Sequence, residues 1–255
     1  MVKLPLSVAI ISFNEEKNIR RTLESIAYFA SEIILVDSHS TDSTREIAAE
    51  FEAKIFIEEW KGHIAQKNSA LNKCSQTWIL CLDCDEVVTP ELAESIRNAI
   101  NQLSINGWII NRRTVYLDKI LQYAWQPDNK LRLVRREAMP AWGGYNPHDV
   151  LFVDGRRETM NGELLHYSYR DIRNHFEKTI YYAYHTAVSY HEKGKKSGIN
   201  KLILNPLYSF VRNYFFQRGF LDGIQGLIAA ISAYIYVFLK YAFLWEMNNQ
   251  TKNKE

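Results

Sequence analysis

Thr77-Trp-Ile-Leu-Cys-Leu-Asp-Cys-Asp-Glu86 begins as a buried strand and ends in carboxylates. Trp78 to Leu82 is apolar at every position, without the alternation of a strand that shows one face to water, so it reads as a strand covered on both sides. In an open parallel sheet the loops beyond the strands' carboxyl ends line the ligand crevice. If the segment stays extended, alternation points Asp83 and Asp85 to the same side. Two such carboxylates repel unless a proton or a cation lies between them. Mg²⁺ or Mn²⁺, bound through oxygen and shared with a diphosphate, would relieve that repulsion.

The same pattern recurs upstream. Leu6 to Ser12 and Glu32 to Val36 are strand-like apolar runs, with a third strand near Lys54 to Ile57. Between them Ile19, Leu23 and Ile26 repeat at helical spacing, and Asp37-Ser-His-Ser-Thr-Asp42 supplies a polar turn with capping residues. Helices are predicted from about His63 to Asn72 and after Pro90. Four strand–helix units in succession define an α/β fold with a doubly wound, mostly parallel central sheet flanked by helices. Glu15, Asp37 and the pair Asp83 and Asp85 then follow strands one, two and four. Beyond Gly107 the pattern turns mixed, with short strands at Trp108–Ile110, Leu131–Arg135, Val150–Val153 and Glu163–His166. A long amphipathic helix is predicted from Asp171 to His191.

Composition narrows the function. The 255 residues are 47% hydrophobic and 24% charged, which excludes a disordered tail or a small disulfide scaffold. A net charge of +2 is far from what nucleic-acid binding through many phosphates requires, so no nucleic-acid partner is expected. Cys74, Cys81 and Cys84 are odd in number and clustered, favouring a reducing compartment. The apolar run after Met1-Val-Lys-Leu-Pro is too short for a signal peptide, and a cytoplasmic protein is expected.

Four ordered motifs carry a resemblance: Ile10-Ile-Ser-Phe-Asn-Glu-Glu16, Val36-Asp-Ser-His-Ser-Thr-Asp42, Gln66-Lys-Asn-Ser-Ala-Leu71 and Leu82-Asp-Cys-Asp-Glu86. They resemble the family-2 inverting glycosyltransferases with the GT-A nucleotide-sugar fold, and within them the lipopolysaccharide-core β-1,4-glucosyltransferase branch. The resemblance implies a catalytic domain over residues 1–170, with a nucleotide-sugar half over about 1–103 and an acceptor half over about 104–170. It implies transfer of a hexose, glucose in that branch, from a UDP-sugar to a lipid-linked or cell-envelope glycan. By the same resemblance Phe13 would lie against the uracil or ribose with Glu15 nearby, and Asp37 would accept from the base. Lys67 would face the diphosphate, Asp83 would hold the ribose or a metal-bound water beside Cys84, and Asp85 would ligate the cation. Asp149, in Trp142-Gly-Gly-Tyr-Asn-Pro-His148-Asp149, stands where relatives carry an acidic residue, commonly Glu, and would be the catalytic base. His166 falls where some members supply a late metal ligand. Arg132 and Arg135, alternating with apolar residues, and His148 are candidates to meet an anionic acceptor or a phosphate.

Two other readings compete. Asp83-Cys-Asp85-Glu86-Val87 also matches the signature of haloacid-dehalogenase-type phosphatases, although about 80 residues of sheet precede it here. A catalytically silent nucleotide-sugar-binding or scaffold protein would keep the same motifs. The Cys81-x-x-Cys84 pair straddles the end of a buried strand and lacks a second pair, so packing outweighs redox or zinc chemistry.

The chain's end is a different material. Of 33 aromatic residues, 12 lie between Tyr208 and Trp245, and Gly223 to Leu239 is a run of 17 uncharged residues flanked by Arg212, Arg218 and Lys240. Residues 171–255 are therefore expected to be a helical, aromatic-rich extension that associates with the inner face of the cytoplasmic membrane as an interfacial helix, the alternative being a helical hairpin packed on the catalytic domain or on another subunit.

Overall fold

The computed structural model describes residues 3–145 and 148–252. In chain order the elements are β1 (Leu4–Ser12), α1 (Ile19–Ile26), β2 (Ala30–Asp37), α2 (Thr44–Glu50), β3 (Lys54–Ile57), α3 (His63–Lys73), β4 (Trp78–Leu82), β5 (Glu86–Val88) and α4 (Pro90–Ala99). They continue as β6 (Gly107–Tyr116), β7 (Lys119–Ile120), β8 (Asn129–Arg135), β9 (Ala141–Tyr145), β10 (His148–Phe152), β11 (Arg157–His166), α5 (Ile172–Glu192), α6 (Ile199–Val211) and α7 (Ile224–Lys252). The chain divides into two compact units, one running up to Arg113 and resuming over Asp128–Tyr167, the other comprising Thr114–Pro127 and the chain from Ser168 onward.

The first unit is built on a mixed sheet ordered β3-β2-β1-β4-β8-β6-β11-β5. β3, β2, β1 and β4 are parallel, whereas β8 runs antiparallel to β4 and β6, and β5 antiparallel to β11. Both faces of the parallel half are covered, as its unbroken apolar strands require. Leu6, Val8 and Ile10 of β1 point into one core with Ile19, Leu23 and Ile26 of α1 and Leu92 and Ile96 of α4. The intervening Ala9, with Ile34, Val36, Ile79 and Cys81, packs against Ala70 and Leu71 of α3 and against Trp142. Pro90 opens α4 behind Thr89, whose hydroxyl accepts from the Leu92 N–H at 3.2 Å.

The chain moves outward from β1 to β2 to β3, then returns to lay β4 on the other side of β1. Strand order therefore reverses between β1 and β4, and the loops leaving their carboxyl ends diverge there. Phe13 and Asp83 stand at those two ends.

The second unit is helical, with α5 and α6 packed along α7. It also takes in Thr114–Pro127, a segment that the sequence reading assigned to the acceptor half of the catalytic domain. Two devices within the unit explain this. The buried Asp222 carboxylate accepts the backbone N–H groups of Gln122, Tyr123 and Ala124 at 2.9, 2.9 and 2.8 Å. The buried His175 ring lies against Tyr116, Trp125 and Tyr169, with its Nδ1 2.8 Å from the Tyr116 hydroxyl.

Burial pushes the His175 imidazole down to about 4 from an ordinary value of 6.5. A folded pKa below the unfolded one favours the neutral ring, so this stabilisation is complete above pH 6.5 and is lost as pH falls toward 4. The expected loss is about 3 kcal/mol. Thermal and urea unfolding of His175→Gln should show a shallower fall in stability across that window than the parent protein. An identical slope would remove His175 as its origin.

Candidate active site

Asp83 and Asp85 do not sit on an extended segment. After Leu82 the chain turns, the Glu86 N–H donating to the Asp83 carbonyl at 3.1 Å, before β5 begins. The extended geometry expected for residues 83–85 is not adopted, and the two carboxylates have different side-chain partners. Asp83 accepts from Lys67 Nζ at 2.9 Å and from Arg132 Nη2 at 2.8 Å, while Asp85 lies 3.4 Å from His166 Nε2. Two cationic side chains balance Asp83. Burial alone would raise its carboxyl, but Lys67 and Arg132 outweigh that and hold it well below the usual carboxylate range.

Lys67 is the hub. Besides Asp83 its ammonium meets Asp149 Oδ2 at 2.8 Å and stands 4.5 Å from the Trp142 ring centroid. Its neighbours on α3 fix this geometry. Asn68 exchanges hydrogen bonds of 2.9 and 2.8 Å with the backbone of Trp142, and the buried Gln66 reaches Ser38 Oγ at 3.2 Å. Burial works against the lysine's charge, yet Asp83 and Asp149 raise its pKa above the ordinary value. It remains an ammonium.

From Asp83 the charges continue inward with alternating sign. Arg132 Nη2 bonds Glu86 Oε1 at 2.6 Å, and Glu86 meets Arg112 Nη1 at 3.0 Å. Arg112 Nε meets Asp128 at 2.7 Å, and Lys130 closes the series on Asp128 at 2.9 Å. Glu86 is completely buried and its second oxygen accepts the Asp83 N–H at 3.0 Å, clamping the turn. Sequence reasoning missed Glu86, Arg112, Asp128 and Trp142. The one visible signal was Glu86, an acidic residue opening an apolar run.

Arg132 is 4% exposed and committed to Asp83 and Glu86, so its candidacy as an acceptor or phosphate contact is corrected to that of a buried counter-ion. Arg135 is corrected as well. It pairs in register with Trp78 at the amino end of β4, where it donates to the Leu103 carbonyl at 2.6 Å and meets Glu137 at 3.2 Å. Three residues along a strand span about 10 Å, which removes it from the carboxyl end where Asp83 stands. The side chain of His148 lies outside the described residues.

The loops after β1 and β2 are tied together. The buried Asp37 accepts from Ser12 Oγ at 2.7 Å and from the Ser40 N–H and hydroxyl at 2.8 and 2.5 Å. Asn14 Oδ1 accepts the Thr41 N–H and the Glu15 N–H donates to Thr44 Oγ1, both at 2.8 Å, while Glu15 also accepts from Asn18 at 2.9 Å. Between these fixed points Phe13 is 57% exposed, an aromatic face held out from an otherwise bonded loop. Cys84 is buried and donates to the Ile11 carbonyl at 3.2 Å; burial first, then the surrounding carboxylates, keeps its thiol protonated. Cys81 is pushed up to about 12 by burial. Both are packing thiols.

Among the described residues no group of three or more His, Cys, Asp and Glu is gathered to hold a metal ion. Asp85 and His166 do form a two-donor set. β5–β11 pairing holds it, setting His166 opposite Glu86 while the Tyr167 N–H donates to the Asp85 carbonyl at 2.8 Å. One carboxylate and one imidazole fit a Mg²⁺ or Mn²⁺ ion that takes its remaining ligands from phosphate oxygens and water.

With this geometry in view, the comparisons agree on the class. The profile of glycosyl transferase family 2 matches residues 7–152, and the chain belongs to that family. It is 31% identical to the lipopolysaccharide core biosynthesis glycosyltransferase LpsC of Rhizobium meliloti, over 96% of this chain and 93% of LpsC. An uncharacterized glycosyltransferase of Rickettsia typhi is 30% identical over 97% of this chain and 89% of its own. Among solved structures, the mannosyltransferase PcManGT of Pyrobaculum calidifontis, in complex with GDP-Man and Mn²⁺, superposes with a TM-score of 0.56 at 13% identity, covering 96% of this chain and 88% of that one. Residues 1–349 of Staphylococcus aureus TarS superpose with a TM-score of 0.50 at 14% identity, covering 97% and 92%. The fold is GT-A. The phosphatase reading of Asp83 is set aside, since the family is another and the carboxylate is paired with Lys67 and Arg132.

Removing one partner of a buried ion pair leaves its counter-charge unbalanced, which typically costs 3–5 kcal/mol. Arg132→Met is therefore expected to lower stability in urea titrations by about 3 kcal/mol, the lower end of that range because Glu86 retains Arg112. A loss no larger than that of an exposed substitution such as Arg173→Met would show that the network carries little of the fold's stability.

Proposed function

We propose that the protein transfers a hexose, glucose in the first instance, from a UDP-sugar to a hydroxyl of a lipid-linked cell-envelope glycan such as the lipopolysaccharide core, with inversion at the anomeric carbon. The observation that carries this reading is Lys67 bridging Asp83 and Asp149 at the strand-order reversal. The extended similarity to LpsC supports the acceptor class, and PcManGT, bound to GDP-Man and Mn²⁺, supports a nucleotide-sugar donor with a divalent cation. In this reading residues 1–103 hold the donor, residues 104–170 contribute the acceptor side, and the enzyme works in the cytoplasm.

Phe13 offers its exposed ring to the nucleobase, and the Asp37-braced loops with Glu15 set that ring's position. Asp83, fixed by two cations, is the rigid acceptor for the ribose, with Cys84 packed behind it. Asp85 and His166 would hold Mg²⁺ or Mn²⁺, which when bound supplies positive charge against the diphosphate. Lys67 faces the same diphosphate as a point charge, and phosphate oxygens compete there with Asp149 for its N–H bonds. Once Lys67 turns to the donor, the Asp149 carboxylate is free to accept the acceptor's proton. The acceptor oxygen then bonds to the anomeric carbon as the bond from that carbon to phosphate oxygen breaks, the electron pair leaving on the nucleoside diphosphate. The base contributes about 10² to 10⁴ in rate.

Turnover of a panel of UDP- and GDP-sugars with Mn²⁺ tests the donor and separates an enzyme from a silent binding protein. Asp149→Asn should lower kcat about 100-fold or more while nucleotide affinity, followed by titration calorimetry, stays within twofold. Near-normal kcat would remove Asp149 as the base. Asp85→Ala should abolish the Mn²⁺ dependence of UDP binding, and retention of that dependence would displace the cation from Asp85 and His166.

A further inference from the structure

The sequence leads one to expect a C-terminal region that meets the inner membrane face, and a lipid-linked acceptor, as proposed above, would call for it; the second unit offers a particular surface for that contact. From Lys193 to Leu221 the chain has six Lys and Arg and no Asp or Glu. At 3.6 residues per turn, Ile203, Leu204, Leu207 and Tyr208 share one arc of α6, all of them exposed, with Lys201 and Arg212 at its edge. Past α6 the chain forms a π-helical turn over Arg212–Phe216 and a 3₁₀ turn over Gly219–Asp222. These turns leave Phe215, Phe220 and Leu221 exposed, and Phe216 is 75% accessible. Large apolar side chains bare to this degree over one continuous segment mark an interaction surface.

We infer that residues 193–221, the basic loop before α6, its exposed arc and the turns after it, are a membrane-docking surface that lies flat on an anionic bilayer. The occupant follows from the charge. A protein partner would need acidic groups to answer six basic ones, whereas a bilayer of anionic lipid presents negative headgroups above an apolar layer, matching basic residues beside bare Phe, Leu and Ile. The 13 residues of α6 extend roughly 20 Å, short of the ~30 Å hydrocarbon core, so the helix lies in the interface.

The surface is not the one hydropathy selects. α7 is long and apolar enough to cross a membrane by length and composition. It is engaged with α5, however, through Thr186 to Tyr236 at 2.9 Å and His191 to Asn248 at 3.3 Å. α5 carries Arg173, Glu177, Lys178 and Glu192, so a spanning α7 would either drag those charges into lipid or abandon its partner. α7 also exposes Phe238 and Trp245, but its ties to α5 argue against a span, and α6 with the turns after it carries the larger share of bare apolar side chains.

Co-sedimentation of the full chain with vesicles of phosphatidylcholine, alone or mixed with phosphatidylglycerol, tests this without any sugar substrate. Binding is expected to the mixed vesicles and to weaken with added salt. Lys195→Ala with Lys196→Ala should lower the partition coefficient about 30-fold. Phe215→Ser with Phe216→Ser should abolish binding while the far-ultraviolet circular dichroism spectrum and turnover on a water-soluble acceptor stay unchanged. Equal binding to neutral vesicles, or full binding by the Phe double variant, would overturn the inference. So would a stable dimer in sedimentation equilibrium that the Phe double variant dissociates. Because vesicle binding and soluble-acceptor turnover are read separately, this proposal can fail while the enzymatic one stands, and the reverse.

Discussion

The Asp83 carboxylate is tolerable at the end of a buried strand only because Lys67 and Arg132 close on it from opposite sides. Desolvating a carboxylate costs several kcal/mol even after relaxation, and one cation in mediocre geometry does not offset that. Here the compensation propagates. Each cation brought in to satisfy one anion is itself partly buried and needs the next, giving the alternating series Asp149, Lys67, Asp83, Arg132, Glu86, Arg112, Asp128 and Lys130. The series ties α3, the turn after β4, β5, β6, β8 and β10 to one another. It joins the parallel half of the sheet to its antiparallel half where apolar packing alone would leave the turn after β4 undirected.

The middle of the charge series and its Asp149 end differ in a way that bears on function. At Glu86 and Arg132 it is sealed, and nothing polar from solvent can compete. At Asp83 and Asp149 the carboxylates retain 29% and 15% of their side-chain exposure, so an arriving anion can bid for Lys67 there. In the proposed reading a fixed interior with an exchangeable terminus suits a donor site, since Asp83 would stay put on the ribose while Lys67 and Asp149 change partners. The ion pair between Lys67 and Asp149 would then keep the proposed base occupied until a diphosphate arrives, linking donor binding to the availability of Asp149.

Much of this was legible in the residues alone, and the boundary is physical. Parallel strands are specified locally, because each is a continuous apolar run and the chemistry falls at its carboxyl end; Phe13, Asp37 and Asp83 could be placed from such runs. The antiparallel half depends on pairings between residues far apart in the chain. Nothing local says that Arg132 meets Glu86 across 46 positions, or that Arg135, three residues on, is carried to the other end of β4. The assumption that residues 83–85 stay extended is the step that the structure overturns. A single backbone hydrogen bond from Glu86 to Asp83 turns the chain and sends the two carboxylates to different partners. Thr114–Pro127 groups with the C-terminal helices through an equally non-local tie, its anchor Asp222 lying about a hundred residues downstream.

The C-terminal helices teach a complementary lesson about hydropathy. A window average ranks α7 first because it cannot distinguish apolar side chains that face protein from those that face solvent. Burial makes the distinction. α7 covers Ala229, Ala230 and Leu244 while exposing Ile231, Tyr234, Phe238 and Trp245 by between a third and a half, whereas α6, shorter and interrupted by Pro206, leaves Ile199, Ile203, Leu204 and Leu207 more than half bare. Pro206 itself is buried, so the residue that weakens the helix's own hydrogen bonding sits on the packed side. The exposed arc then has no role in holding the unit together, and its retention of large apolar side chains calls for a partner that is itself apolar. The uninterrupted positive charge of the surrounding segment restricts that partner to one edged with negative groups.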